Sequence, residues 1–280
     1  MENDSQTVLV LGANGKTGSR VIQGLNELNV PVRAGSRSAS PRFDWDDQST
    51  WKDALENIES AYVCFQPDLA VPGADTIIQG FCDLARECGV KKLVLLSGRG
   101  EKEAQVCEEI VMNSGLEWTI ARASWFNQNF CESFLLEPII EGFVTLPIGN
   151  VKEPFIDVDD IADVVVAALT QKGHEGKLYE LTGPRLISFQ EAIHEIAAAT
   201  GRNIQYVQIS LEEYTQYMAD AQIPQDYIDL ISYLFTEVLD GRNESVTNGV
   251  EEALGRKARD FSDYVRHAAG SGIWNAAQSV

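Results

Sequence analysis

The chain has 280 residues, a length that suits one large domain or two small ones. Its 22 basic and 42 acidic residues give a formal net charge of −20, and so acidic a surface repels nucleic acids and anionic lipids. We therefore expect no nucleic-acid partner and no membrane partner. The start of the chain lacks the basic and apolar stretch of a signal peptide, so a cytoplasmic protein is expected. Five cysteines without a C-x-x-C pair and three widely spaced histidines predict reduced thiols and no metal site.

Segments typical of strands and helices alternate through the first half of the chain. Apolar, partly β-branched runs predict strands, and runs with helical spacing predict helices between them. The predicted strands are Thr7–Leu11, Val30–Ala34, Phe43–Asp44, Ser60–Phe65, Lys92–Leu96 and Trp118–Arg122. The predicted helices are Gly18–Leu28, one that begins with Trp51–Leu55, Thr76–Cys88 and Gln105–Asn113. This alternation predicts an α/β fold with a parallel sheet covered on both faces.

The second half is less regular. We expect Asp160 to cap an apolar helix over Ile161–Leu169, and Lys177–Leu181 to form a further strand. From Ser188 onward the pattern is mostly helical, and the small, polar residues from about Gly270 predict a loose tail.

A glycine-rich turn follows the first predicted strand and is the sharpest motif of the sequence. Gly12, Gly15 and Gly18 are spaced G-x-x-G-x-x-G, with a helix directly after them. Such glycines allow a tight turn, a close approach of backbone N–H groups to a pyrophosphate and close packing of helix on strand. The alternative is a tight turn without a ligand. The predicted contacts of a dinucleotide here are Gly12, Asn14, Gly15, Lys16, Thr17 and Gly18.

The segment after the second strand indicates which dinucleotide is bound. An NAD site usually places an acidic residue here to bind the ribose 2′-hydroxyl, but Val32–Ser38 contains none. Arg37, with Ser36 and Ser38 beside it, suits a 2′-phosphate and predicts NADP(H) in preference to NAD(H). The alternative is an ordinary solvated loop.

An acidic and an aromatic residue then follow in the segment FDW. Asp44 could accept a hydrogen bond from the adenine amino group, and Trp45 could cover the ring. The alternative for Trp45 is simple packing.

Several longer segments carry a family resemblance. The strings LVLGANGKTGSRV, VRAGSRS, KKLVLLSG, SGLEWTIARASWFNQNF, PFIDVDDIADVV and YELTGPRLISFQEA resemble the NmrA-like branch of the atypical short-chain dehydrogenases. FDWDD and ESVTNGVEEALGRKARDF are most similar to the subgroup of festuclavine synthase and agroclavine dehydrogenase. The resemblance implies a Rossmann-type, doubly wound parallel sheet in residues 1–153, with 154–183 returning to it. It also implies a smaller, mostly helical substrate-binding region, 184–280, joined by parts of 124–153.

The resemblance also implies positions for the ligands. Phe65, Gln66, Ser97 and Gly98 should line the cofactor, and the loop with Ser124, Trp125 and Phe126 should lie near the nicotinamide. Aromatic side chains around this loop could instead be core. The predicted substrate pocket consists of Trp125, Phe126, Asn127, Phe130 and Phe155.

The usual acid of short-chain dehydrogenases is missing, because no tyrosine is followed four residues later by lysine. Ser97 and Lys102 are the remaining weak candidates for catalysis, and Lys102 also fits a solvated loop charge. The carboxylates at 157, 159, 160 and 163 fit a helix cap and solvated charges better than a site. An iminium needs no proton after it accepts hydride, and a quinone or enone forms a delocalised anion that water can protonate.

Three functions are therefore compatible with the sequence. The first is an NADPH-dependent reductase that delivers hydride to an imine, iminium, quinone or enone-type small molecule. The second is a non-catalytic NAD(P)-binding redox sensor that acts on a protein partner. The third is an atypical carbonyl reductase or isomerase. A monomer or a homodimer is expected.

Overall fold

The structure is a computed structural model that describes residues 7–275. The strands are β1 (Val8–Leu11), β2 (Val32–Gly35), β3 (Ser60–Val63), β4 (Lys92–Gly98), β5 (Glu117–Ala123), β6 (Phe143–Leu146), β7 (Lys152–Glu153), β8 (Lys177–Leu181), β9 (Ile187–Ser188) and β10 (Gln205–Gln208). The helices are α1 (Lys16–Glu27), α2 (Trp51–Leu55), α3 (Ala74–Glu87), α4 (Lys102–Met112), α5 (Leu136–Glu141), α6 (Val158–Thr170), α7 (Phe189–Thr200), α8 (Leu211–Asp220), α9 (Gln225–Tyr233), α10 (Gly249–Leu254) and α11 (Phe261–Ser271).

The chain divides into two compact units. The first unit contains the residues up to Ala123, Val158–Leu181 and Asn248–Lys257. The second unit contains Ser124–Asp157, Thr182–Thr247 and the residues from Ala258 onward. All of 124–153 lies in the second unit, and α10 lies in the first, where it packs against α6 and β8.

A parallel sheet of six strands forms the centre of the first unit, in the order β2-β1-β3-β4-β5-β8. Strands β1 and β3 are buried along their whole length, as expected for strands covered on both faces. The predicted α/β fold of the Rossmann type is confirmed. The strand order reverses between β1 and β3, so the carboxyl ends of these two strands border the crevice where such sheets bind ligands.

The second unit is mostly helical, as predicted, with two small sheets. Strands β6 and β10 pair in parallel, and β7 pairs with β9 in antiparallel orientation. Helix α7 begins with a capping box in which Ser188 and Glu191 satisfy each other's backbone N–H groups. Aromatic side chains dominate the core of this unit. They are Phe130, Phe155, Phe189, Phe235, Phe261, Tyr264 and Trp274.

Three local predictions were wrong. Phe43–Asp44 forms no strand: Phe43 is buried against the rings of Trp45 and Trp51 in an irregular segment. Asp160 does not cap a helix, because α6 begins at Val158. The expected tail is helical to Ser271, and residues 276–280 lie outside the described part of the chain. Within residues 7–275 no helix has the length and apolar character needed to cross a membrane.

Candidate functional site

The glycine-rich turn joins β1 to α1 with very close backbone contacts. Gly12 has a φ of +67°, a left-handed conformation that favours glycine. A Cβ on Gly18 would lie 2.2 Å from the carbonyl oxygen of Gly12, and one on Gly15 would lie 3.2 Å from the same atom. No side chain caps the start of α1, and its first turn has no acidic residue. We call Gly12, Gly15 and Gly18 the glycine cradle. The cradle and the positive end of α1 beside it fit the pyrophosphate of a dinucleotide.

Thr17 faces inward from this turn. Its hydroxyl accepts a hydrogen bond from the Tyr62 hydroxyl at 2.9 Å, and its Oγ1 lies 3.9 Å from Sγ of Cys64. Burial raises the pKa values of the Tyr62 phenol and the Cys64 thiol, so both stay neutral. The Thr17 side chain therefore links α1 to β3, and its hydroxyl is engaged within the protein.

Three of the other predicted contacts meet at the end of β2. The amide of Asn14 donates to Ser38 at 3.4 Å, and the hydroxyls of Ser36 and Ser38 are 3.3 Å apart. On the other side of the turn, Nε2 of Gln66 lies 3.8 Å from the position of a Cβ on Gly15. Asn14 therefore connects the turn to the serines after β2, and Gln66 lies beside Gly15.

The three arginines of this region have different environments. The guanidinium of Arg33 donates to the carbonyls of Ala54 and Glu56 at 3.0 and 2.6 Å, and so closes the end of α2. Arg42 is paired with Asp44 at 2.5 Å. Arg37 is exposed, and no hydrogen bond or ion pair engages its side chain within residues 7–275. Of the three, Arg37 therefore has its guanidinium available for an anion.

The two residues predicted to contact adenine, Asp44 and Trp45, both have hydrogen-bond partners within the protein. Asp44 accepts from Arg42 and from the backbone N–H of Asp46. The indole of Trp45 is buried, donates to the carbonyl of Cys64 at 3.2 Å and lies 5.0 Å from the ring of Phe65. The packing alternative describes Trp45 better, because both its ring and its N–H have protein partners.

A buried polar network follows the carboxyl ends of β4, β5 and β8. The Ser97 hydroxyl donates to Glu108 at 2.6 Å, and Glu108 also accepts from Nε of Arg122 at 2.8 Å. Arg122 in turn donates to Glu180 at 3.1 Å. Lys102 is exposed at the start of α4. The two weak catalytic candidates are thus a serine already bonded to a carboxylate and a solvated lysine.

The loop after β5 belongs to the second unit and has unpaired polar groups. The Ser124 hydroxyl and both polar atoms of the Asn127 amide are buried without a hydrogen-bond partner among the described residues. Such groups usually have a partner in folded proteins, so a polar ligand or water is the expected complement. Trp125 is partly exposed and packs against Phe189 and Phe235, with ring centroids 5.6 and 5.9 Å away.

The other aromatic residues predicted for the pocket have different positions. Phe126 is partly exposed and forms a backbone bridge to Ile156. Phe130 and Phe155 are buried in the aromatic core, 5.3 Å apart, with further ring neighbours on α7 and α11. The structure thus gives these two a packing role, the alternative that the sequence left open. Within residues 7–275, no group of three or more His, Cys, Asp or Glu residues could hold a metal ion.

Comparison with known proteins identifies the family. Residues 101–266 match the NmrA-like family, and residues 12–172 match the NAD(P)H-binding family. Festuclavine synthase II of Penicillium roqueforti is 31% identical, over 93% of this chain and 98% of its own. The NAD(P)H azoreductase of Xenophilus azovorans is 30% identical, over 95% and 99% of the two chains, and its name agrees with the predicted oxidoreductase class.

A solved structure shows the same fold. The NADPH-dependent quinone oxidoreductase QOR2 of Escherichia coli, complexed with NADPH, has a TM-score of 0.79 and 20% identity, over 93% of this chain and 99% of that chain. The glycine cradle lies within the segment that matches the NAD(P)H-binding family. The chain belongs to the NmrA-like family and to the NAD(P)H-binding family.

Proposed function

We propose that the protein is an NADPH-dependent reductase that delivers hydride to an imine, iminium, quinone or enone-type small molecule. The observation that carries this proposal is the glycine cradle at the start of α1, where backbone approaches so closely that a Cβ on Gly18 could not fit. The family match covers this turn, and the names of the relatives support a redox reaction. When bound, the cofactor would supply a hydride equivalent.

The chain's own residues account for binding and selectivity. The turn and the first N–H groups of α1 would hold the pyrophosphate. Arg37 and the hydroxyls of Ser36 and Ser38 would bind a 2′-phosphate, which supports NADP(H) over NAD(H). In the second unit, Ser124 and Asn127 have the unpaired groups that a polar ligand would satisfy.

Two observations support this class of acceptor: the sequence lacks the Tyr-x-x-x-Lys acid, and the relatives are named for related reductions. No tyrosine has a lysine four residues later, so an ordinary ketone would have no conventional acid. The relatives and the similar structure are named for a clavine product, for azo reduction and for quinone reduction. An electron-poor, conjugated or cationic acceptor is consistent with all three names.

A binding experiment tests the cofactor. NADPH and NADH are titrated, by the fluorescence of the dihydronicotinamide, into the wild type, Arg37→Ala and a control, Arg266→Ala. Arg266 is an exposed arginine on α11, with 68% of its side chain accessible. Loss of a charge-assisted bond of about 1.5–3 kcal/mol predicts NADPH binding that is roughly 10- to 150-fold weaker in Arg37→Ala. NADH binding should be unchanged, and the control should resemble the wild type.

Turnover is then followed with a quinone, a cyclic iminium, an enone and a simple ketone. Oxidation of NADPH by one of the first three acceptors supports the proposal. Equal weakening of NADPH and NADH in Arg37→Ala contradicts the role of Arg37. Tight binding without oxidation by any acceptor contradicts the reductase and favours a sensor.

A further inference from the structure

Two carboxyl groups meet beside the carboxyl end of β4. Asp68 lies in the loop after β3, and Glu101 lies three residues beyond β4. Their side chains are hydrogen-bonded to each other, and Glu101 is only 7% exposed. The Glu101 carboxyl lies flat against the end of the strand, because a Cβ on Gly98 would be 2.0 Å from its Oε1. The glycine at the end of β4 therefore makes room for an acid.

A hydrogen bond between two carboxyl groups requires a proton on one of them. Burial raises the pKa of Asp68 too, but the backbone N–H of Ala70, which donates to Asp68 at 2.8 Å, and the Glu101 carboxyl both lower it, so we assign the proton to Glu101. Burial, followed by the charge of Asp68, raises the pKa of Glu101 well above its ordinary value.

The other charges around the pair act in the same direction or are engaged elsewhere. Glu103 and Glu108, both on α4, further raise the pKa of Glu101. The nearby cation Arg99 is 3.7 Å from Glu180. Glu101 is thus a neutral carboxylic acid at a pH where ordinary glutamates are ionised.

This acid lies on the edge of the sheet where the ligand is expected. Open α/β sheets bind ligands outside the carboxyl ends of their strands, beside the point where the strand order reverses. That point is between β1 and β3, and β4 is the next strand along. Two strand spacings separate β1 from β4, which is about 10 Å and less than the length of a dinucleotide. A residue that follows β4 is therefore within the length of a dinucleotide bound at the point where the strand order reverses.

We propose that Glu101 is the proton donor of the reduction and that Asp68 is the positioning residue that keeps the proton on it. This inference rests on the proposed function and narrows it. An acid is useful where reduction leaves negative charge on an oxygen, so among the proposed acceptor classes it favours quinones and enones over iminium ions. A cationic iminium becomes a neutral amine and gains nothing from the acid.

The step balances with one NADPH and one proton for each acceptor. Two electrons and one hydrogen reach the acceptor as hydride. The oxygen forms a bond to the Glu101 proton while the O–H bond of the carboxyl breaks, and the carboxylate recovers a proton from water. NADPH would supply the hydride and leave as NADP⁺, and the acceptor would become a hydroquinone, or, for an enone, an enol that tautomerises in water to the saturated ketone.

The test compares Glu101→Gln, Asp68→Asn and the control Glu109→Gln, an exposed residue of α4 that is not among the charges acting on Glu101. Infrared spectroscopy should show the C=O band of a protonated carboxyl in the wild type and the control, and its loss in Glu101→Gln. All three variants should bind NADPH within about twofold of the wild type, because none belongs to the glycine cradle. Unfolding curves confirm that each variant folds.

Kinetics then give the decisive comparison. Glu101→Gln should lower kcat for a quinone by roughly 10²- to 10⁴-fold, the usual contribution of a general acid. It should leave reduction of a cyclic iminium unchanged, if the wild type reduces one. Asp68→Asn should move the alkaline limb of the quinone pH profile to lower pH, because the neutral amide no longer disfavours ionisation of Glu101.

Two results overturn the assignment of Glu101: full quinone turnover in Glu101→Gln, or an infrared band that persists in that variant. Failure of the proposed function gives a different result: none of the tested acceptors would then support NADPH oxidation by the wild type. In that case the proton-donor role fails too, even though the infrared band is present.

Discussion

Replacement of Gly18 by alanine tests the close packing at the glycine cradle. The added Cβ would lie 2.2 Å from the Gly12 oxygen, 2.7 Å from its carbonyl carbon and 3.1 Å from Cα of Ala13. All three are backbone atoms, so no side chain can rotate away. Ordinary contact begins near 3.4 Å, and α1 must therefore shift from β1 by about 1.2 Å. Overpacking of this kind costs about 1–3 kcal/mol, and the helix propensity of alanine returns about 0.5–1 kcal/mol. The midpoints of these two ranges give a net loss of about 1 kcal/mol.

The matched control is Gly80→Ala in the middle of α3. A Cβ there would lie 3.8 Å from the Trp51 ring, an ordinary contact, so this variant should gain about 0.5–1 kcal/mol. Urea unfolding measures both free energies, and NADPH fluorescence measures binding. A shift of about 1 Å in the first N–H groups of α1 should weaken NADPH binding in Gly18→Ala, because these groups would hold the pyrophosphate, and Gly80→Ala should bind like the wild type. Wild-type stability and affinity in Gly18→Ala would refute the reasoning.

Three further predictions follow from buried groups. Arg256→Met should lower the free energy of unfolding by about 3 kcal/mol, because it removes an ion-pair partner of the fully buried Asp160 carboxylate. Arg266→Met, in an exposed pair, should change it by less than about 1 kcal/mol, and urea unfolding of both variants distinguishes a buried from a surface pair. Trp274→Ala should cost about 3–5 kcal/mol by the same measurement, since the indole is fully buried, and wild-type stability would show that this segment is not packed. The raised pKa of Glu101 means that the folded protein binds this proton more tightly than the unfolded chain does. Above about pH 4.3 the free energy of unfolding should therefore fall as pH rises, by at most about 1.4 kcal/mol per pH unit. Glu101→Gln should lack this pH dependence in unfolding curves recorded between about pH 5 and about pH 8.

Local sequence patterns predicted most of the large sheet and the glycine-rich turn between β1 and α1. The alternation of apolar runs predicted five of the six strands of the large sheet in the first half of the chain and the sixth at Lys177–Leu181. The glycine spacing predicted the β1–α1 turn, because a tight turn and a close helix–strand contact depend on residues only a few positions apart. Strand Phe43–Asp44 failed for a physical reason: in so short an apolar segment, periodicity cannot distinguish pairing from packing.

Interactions between distant residues could not be predicted. Asp160 looked like a helix cap, but its carboxylate pairs at 2.7 Å with Arg256, which is 96 residues away. Trp274 belonged to an apparent tail, yet its indole donates to the carbonyl of Phe130, 144 residues earlier. A small, polar composition describes the neighbours of Trp274 and gives no information on the cavity that one aromatic side chain fills.

The proposed acid, Glu101, could not be predicted from the sequence for the same reason. A search for Tyr-x-x-x-Lys examines one helix, where four residues bring two side chains to the same face. Asp68 and Glu101 instead come from different loops, and only the parallel register of β3 and β4, with Ser60 opposite Lys92 and Val63 opposite Leu95, brings those loops together. Each residue alone resembles a solvated surface charge. Their pairing removes one charge and buries a proton, so an acid can arise in a chain whose sequence lacks the usual one.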